Sequence, residues 1–379
     1  TGSHLSEQEL GETSGIGYPG AMPHRARLTV DLSALARNFG TLGTVAAGAE
    51  VAPVVKADGY GLGVKRTSEA LWSAGARSFF VARLDEGEAL RRSLGPARPA
   101  RIYLLDGLVP GTTARVRRSG LTPMLADPVQ VAAARSAATD GGPLEVGLHV
   151  DTGMNRQGLS QDALSDLSRD GARGLNPVLL MSHLGSAATP EHPRNTLQLQ
   201  RFRQARSLFP ALPASLSASA GTFLGPDWRF DMVRPGVSLF GGGPFERPDP
   251  RIEAVATLDA PILYVRTIEA GEWLGYGSGL RLDHRIRVAV VAAGYADGLL
   301  RRGGGRASAW FAGARRPVRI VNMDLMAIEI GDTPARPGDR VELMGANLPI
   351  DDLATATDTV AHECLVRLST RARRRYVRS

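Results

Sequence analysis

From Leu28 onward, short apolar runs alternate with amphipathic, helix-spaced segments, the pattern of repeated βα units around a parallel sheet. Leu28 to Val30 reads as a strand, with Asp31 or Ser33 placed to cap the helix behind it. Further strands are expected at Val51 to Val55, Ser78 to Ala82, Arg101 to Leu105, Leu144 to Val150, Val178 to His183 and Ser215 to Ser219. Helices are expected over Asp85 to Arg92, Pro128 to Ala138 and Leu197 to Phe209. Polar and glycine-rich residues fall just behind the strands, at Lys56, Asp151 to Arg156, His183 to Ser186, Ser219 to Thr222 and Arg234 to Gly236. In a (β/α)8 barrel that is the face on which sites are built, so one shared pocket is implied. After about Val255 helical spacing fades. β-rich runs at Ile262 to Glu269, Ile286 to Ala293, Arg316 to Val321 and Arg340 to Met344 are punctuated by Gly and Pro, with a short helix near Asp351 to Ala356. The expected organisation is a leader over residues 1–26, an α/β barrel over 27–255 and a mostly β domain over 256–379.

Size and composition agree with that division. A chain of 379 residues exceeds one average core, and 43% hydrophobic with 22% charged residues is ordinary for a globular protein. No apolar run reaches the roughly 18 residues of a membrane helix, so no membrane partner is expected. Thr1 to Leu5 resembles what remains of a cleaved expression tag, and the stretch to about Met22 lacks the apolar centre of a signal peptide. The single cysteine, Cys364, rules out an intrachain disulfide and a cysteine-based zinc site, and favours a reducing cytoplasm. A net charge of +7 raises nucleic acid as a partner, but acidic residues are interspersed and only Arg367 to Arg378 is a basic cluster. That cluster reads as a solvated or dimer-facing tail, and no nucleic-acid partner and no metal are expected.

Only two of the 45 basic residues are lysines, Lys56 and Lys65. A guanidinium stays protonated and cannot form a Schiff base, whereas a lysine amine can. Lys56 ends an apolar strand and precedes Asp58-Gly59-Tyr60-Gly61, where desolvation would lower its pKa and free the amine as a nucleophile. Lys65 reads as a surface residue.

Seven stretches give the whole chain a likeness: Val54 to Gly63 (VVKADGYGLG), His149 to Gly158 (HVDTGMNRQG), Met181 to Ala187 (MSHLGSA), Asp231 to Gly241 (DMVRPGVSLFG), Gly275 to Gly277 (GYG), Gly294 to Gly298 (GYADG) and Met323-Asp324. In this order and spacing, over Arg27 to Val377, the sequence resembles the alanine racemase family: homodimeric pyridoxal 5'-phosphate enzymes with a (β/α)8 TIM-type barrel and a C-terminal β domain. The resemblance implies that Lys56 carries the cofactor and exchanges protons on one face of a small amino-acid substrate. It implies that Tyr276 serves the opposite face from the other subunit, so that the active sites are shared. His183 matches the histidine beside that tyrosine, and Arg234 the arginine facing the cofactor ring nitrogen. Tyr60, Ser219 and the amides of Gly236 and Val237 match the phosphate ligands. Arg156 matches the arginine near the cofactor and the substrate carboxylate, Met323 the second subunit's backbone contact to that carboxylate, and Tyr295 and Arg301 the substrate entrance.

The match departs from the family at several positions. His149 stands where many members have a lysine, often carbamylated, that orients the arginine matching Arg156. Ala218 replaces an asparagine beside the phosphate serine, and His362 replaces a phosphate tyrosine while still able to donate a hydrogen bond. Ala188 replaces an aspartate, Asn322 a cysteine, and Ile320 an arginine, with Arg319 one position earlier. The implied activity is a cytoplasmic, homodimeric amino-acid racemase, an isomerase with alanine as default substrate. The departures leave open a racemase for another or larger amino acid. A decarboxylase on the same barrel and a non-catalytic pyridoxal-phosphate-binding protein are the remaining alternatives.

Overall fold

A computed structural model describes residues 25–276, 279–368 and 371–378. Most of the leader, Gly277 of the Gly-Tyr-Gly run, and Ser369 and Thr370 of the basic tail lie outside the described residues. The first strand, β1 (Arg27–Asp31), is followed by the helix Leu32–Ala46, which Asp31 caps by accepting from the Ser33 and Ala34 amides.

Eight parallel strands then close a ring: β2 (Glu50–Val51), β3 (Ser78–Val81), β4 (Arg101–Leu104), β5 (Leu121–Leu125), β6 (Leu144–His149), β7 (Leu175–Met181), β8 (Ala214–Ser215) and β9 (Met232–Val233). Strands β3 to β8 pair in sequence order and β2 pairs with β9. The remaining gaps are bridged by Val54 against Phe80 and Ala218 against Arg234. The runs expected at 51–55 and 215–219 thus survive as two-residue ladders plus single bridges, one interrupted by Pro53, which has no N–H to donate. β5, with Pro123 inside it, was not anticipated. The expected helices are Leu84–Leu94, Pro128–Ala137 and Pro193–Leu208. Strand β3 is buried along its whole length, as a strand covered on both faces must be.

The C-terminal region contains β10 (Ala256–Ile268), β11 (Trp273–Leu274), β12 (Leu280–Arg281), β13 (Ile286–Val291), β14 (Ser308–Phe311), β15 (Ala314–Val321), β16 (Met326–Glu329), β17 (Arg340–Met344) and β18 (Arg373–Val377). Strands β10, β13, β16, β15, β14 and β17 close an antiparallel ring because the long β10 pairs with β17 through its first half and β13 through its second.

Two expectations are corrected here. β1 does not join the parallel barrel but pairs antiparallel with β10. Its alternation, with Leu28 and Val30 buried between half-buried neighbours, is the one-sided pattern of an antiparallel sheet. The basic tail is not simply solvated: Arg373–Val377 pairs parallel with β1, so both ends of the described chain meet in one sheet. The helices Ile350–Ala356 and Ala361–Val366 complete the region, the second unforeseen. No helix among the described residues is long and apolar enough to cross a membrane.

Candidate active site

Behind the buried pair Val54-Val55, the chain turns at Lys56 into a rare conformation. Ala57, Asp58, Gly59 and Tyr60 all have φ between 53° and 64°, making one turn of left-handed helix. Such geometry costs about 1–2 kcal/mol per non-glycine residue and persists only where its surroundings over-determine it. Here Gly61 N–H donates to Ala57 O at 2.7 Å, and Val64 N–H to Asp58 Oδ1 at 2.8 Å. Glu86 Oε1 accepts from the Ala57 amide at 2.7 Å, while Oε2 accepts from Ala82 and Arg83 at 2.8 and 3.1 Å. One carboxylate thereby ties the lysine turn to the entry of the next helix. Glu86 escaped the sequence reading; its signal was a glutamate three positions into a helix that follows a strand.

The Lys56 side chain is exposed in the single chain, so the desolvation expected for it is not supplied by its own residues. It opens onto a cavity of about 580 Å³ at the C-terminal ends of the barrel strands. Tyr60, His149, Arg156, His183, Ala188, Ala218, Ser219, Arg234, Gly236, Val237 and His362 also line that cavity.

Arg234 leaves β9 into the interior and is 2% exposed. Its guanidinium donates to Ser215 Oγ at 2.5 Å and Ser182 O at 2.6 Å, all neutral acceptors. Burial lowers its pKa to about 9, which still leaves it charged at neutral pH. Nη2 also lies 3.4 Å from His183 Nδ1. Arginine has no acceptor, so Nδ1 must be the unprotonated nitrogen and Nε2 carries the proton. Burial, then the charges of Arg234 and Arg156, push the His183 pKa down to about 3. His149, 6% exposed at the end of β6, is pushed down to about 4 by burial and the same two arginines, with Asp151 opposing. Its Nδ1 is buried without a hydrogen-bond partner.

Arg156 stands at the end of a loop built by Asp151, whose Oδ1 accepts from the Gly153 and Met154 amides at 2.8 Å each. Arg194 grips the Gly153 carbonyl from outside, and Gln157 donates to Leu105 O at 2.7 Å. Gly158 is obligatory, since at φ 130° a β-carbon would fall 2.4 Å from the Asp151 nitrogen.

The residues fit pyridoxal phosphate. The Gly236 and Ser238 amides converge on Ser219 Oγ at 3.0 and 3.2 Å, and the Tyr60 hydroxyl lies so close that a β-carbon on Gly236 would meet it at 2.0 Å. Ser238 Oγ is buried there without a hydrogen-bond partner. Hydroxyls and amides converging there are donors that suit a phosphate dianion. Tyr60 stacks on Phe240 with centroids 4.9 Å apart, and burial raises its pKa, so the phenol remains a donor. Lys56 would supply an amine for the cofactor aldehyde, and Arg234, which carries only donors, would face its ring nitrogen.

Tyr276, Tyr295, Arg301 and Met323 do not line this cavity. They gather at the C-terminal region instead. The Gly275 β-position faces Ile320 at 3.4 Å, Gly304 lies against Ile320 Cα and the Arg301 carbonyl, and Tyr295 and Ala296 donate to the Asn322 and Met323 carbonyls at 2.9 Å each. Tyr276 is 82% exposed and Met323 54%. Arg319 does not take the place of the arginine missing at Ile320: it is turned away onto Glu329, donating from Nε at 2.7 Å.

A closed parallel barrel with a lysine, a neutral histidine and a buried arginine hydrogen-bonded to Ser215 and Ser182 at its strand ends, extended by a β domain, defines a two-domain barrel class with a cavity at the strand ends. Residues 30–244 match the model of the alanine racemase N-terminal domain and residues 255–376 that of the alanine racemase C-terminal domain. The alanine racemase of Rhizobium meliloti (strain 1021) is 42% identical over 370 residues, spanning 93% of this chain and 97% of the relative. A catabolic alanine racemase of Agrobacterium fabrum is 39% identical, spanning 92% of each. Among solved structures, alanine racemase from Bartonella henselae with covalently bound pyridoxal phosphate superimposes with a TM-score of 0.88 at 31% identity, covering 94% of this chain and all of the other. The biosynthetic enzyme of Pseudomonas aeruginosa gives 0.86 at 32% identity, covering 93% and 99%. The chain belongs to the alanine racemase family.

Proposed function

We propose that the chain is a pyridoxal-phosphate-dependent alanine racemase that works as a cytoplasmic homodimer with two shared active sites. The observation that carries the reading is the split of the site: Lys56 opens onto a cofactor-sized cavity, and Tyr276 and Met323 are exposed and do not line it. Each half lacks what the other has. A second copy that brings its Tyr276 patch over the Lys56 cavity completes both sites at once, as two-fold symmetry requires.

The chemistry supplied by bound pyridoxal phosphate is that of an electron sink, which acidifies the substrate's α-hydrogen. Lys56 Nζ takes or returns that proton on one face. Tyr276 Oη of the second copy acts on the opposite face, and a proton delivered there inverts the centre. His183, neutral with its proton on Nε2, donates a hydrogen bond to the tyrosine oxygen and favours its ionised form. Arg234, unable to accept a proton, holds the ring nitrogen unprotonated and limits side reactions. Arg156 and the Met323 amide of the second copy retain the carboxylate, and Tyr295 and Arg301 line the approach.

Two outcomes test this. L- and D-alanine lose optical activity in the presence of pyridoxal phosphate without release of carbon dioxide, and borohydride traps the cofactor on Lys56. Tyr276→Phe lowers racemisation by about 10²- to 10⁴-fold, the range of a lost general acid or base, while cofactor uptake is unchanged. Unchanged racemisation in that variant sinks the two-base assignment. A larger substrate is a second reading, favoured by Ala188 in the cavity wall and by the diversion of Arg319 onto Glu329. Turnover of L-alanine far above every larger amino acid excludes it.

A further inference from the structure

We propose that Arg374 and Tyr376, in the last strand, are positioning residues for Lys56. This rests on the reading of Lys56 as the reactive amine. In the left-handed turn behind Lys56 the Gly59, Gly61, Leu62 and Gly63 amides donate to nearby carbonyls and Glu86 takes the Ala57 amide, while the carbonyls of Gly61 and Leu62 accept from donors outside the turn. Both donors come from β18. Arg374 Nη2 donates to Gly61 O at 2.7 Å, and the Tyr376 hydroxyl donates to Leu62 O at 3.0 Å. Arg374 Nη1 also lies 3.9 Å from Asp58 Oδ2, the carboxylate whose other oxygen holds the Val64 amide.

Register explains why these two residues act together. Residues two apart on a strand face the same side, and pairing Arg374 with Leu28 and Tyr376 with Val30 aims both side chains at the turn. Packing there leaves no slack: a β-carbon on Gly63 would lie 2.2 Å from the Tyr376 hydroxyl, and one on Gly61 would lie 2.8 Å from the Leu365 carbonyl. The strained turn is therefore gripped by Glu86 on one side and by β18 on the other. Loosening the second grip frees the turn to relax, and a displacement of about 1 Å at a reacting group is worth on the order of 100-fold in rate.

Hydrogen–deuterium exchange on the full-length, cofactor-free protein tests the strap directly, beside steady-state kinetics on the reconstituted enzyme. In Tyr376→Phe, which keeps the ring, and in Arg374→Met, exchange of the amides between residues 57 and 64 rises about 5- to 10-fold, the scale of one lost hydrogen bond, while β6 and β7 are unchanged. The kcat falls with little change in KM, and Arg374→Lys, which keeps a donor and the charge, recovers part of both losses. The proposal is overturned if exchange at 57–64 is unaltered in both variants. It is equally overturned if exchange rises as much in β6 and β7, because the residues then support only global stability. A wild-type chain that takes up no cofactor and racemises nothing overturns the functional reading alone, since the exchange result does not depend on activity.

Discussion

At the scale of single residues, the site is set by which groups stay uncharged. His183 and His149 hold folded-state pKa values of about 3 and about 4 against an ordinary value near 6.5, because burial and two arginine charges oppose a further cation. Between those values and pH 6.5 the unfolded chain binds protons that the folded chain refuses, so stability rises with pH in that window. Conversely, it is lost as pH falls below about 6.5. The expected outcome is that the cofactor-free protein loses more of its Tm between pH 7 and pH 5 than does His149→Gln, which has no ring to protonate. Parallel pH profiles for the two proteins would falsify the assignment of a neutral buried His149. His149 also shows a limit of the sequence. Its replacement of a lysine was legible, but the burial that keeps it neutral comes from the closed barrel and from Arg234, 85 positions away along the chain.

At the scale of elements, the lysine turn is held by an acceptor that serves three backbone amides. Removing it in Glu86→Ala strands the Ala57, Ala82 and Arg83 N–H groups, and the expected loss is about 1–3 kcal/mol in urea unfolding. Glu86→Gln, with one acceptor oxygen, falls between. A change within about 0.5 kcal/mol for the alanine variant, the range of neutral surface substitutions, removes Glu86 from this role. The same contrast explains what sequence could show. Helix and strand periods exposed most barrel elements to within a few residues, and the glycine-rich runs behind the strands marked the cavity wall. Hidden were the elements whose partners lie far off in the chain. β1 carries an antiparallel pattern that makes sense only beside β10, β5 is interrupted by Pro123, and β18 is a run of arginines whose two inward residues are recognisable only by their contacts with residues 58–62. Charge clustering described the composition of β18 and concealed its alternation.

At the scale of the whole molecule, Lys56 lines the barrel cavity while the exposed Tyr276 does not, and the proposed function completes each site with a second copy. That arrangement has a consequence independent of any single rate. Under the proposed arrangement each site draws its lysine from one copy and its tyrosine from the other, so Lys56→Ala and Tyr276→Phe are each expected to disable both sites of a homodimer. A mixed dimer of the two variants places both substitutions in one site and leaves the other intact. After random re-association of equal amounts, half the dimers are mixed, so about a quarter of all sites regain both groups under two-fold exchange. Mixing two inactive preparations under mild dissociating conditions and then restoring cofactor is therefore expected to recover roughly a quarter of wild-type racemisation. Recovery should track the fraction of mixed dimer measured by native mass spectrometry. No recovery, although mixed dimers form, means that Tyr276 serves the Lys56 of its own chain or serves none. Its 82% exposure away from the Lys56 cavity makes the shared arrangement the one that the geometry supports.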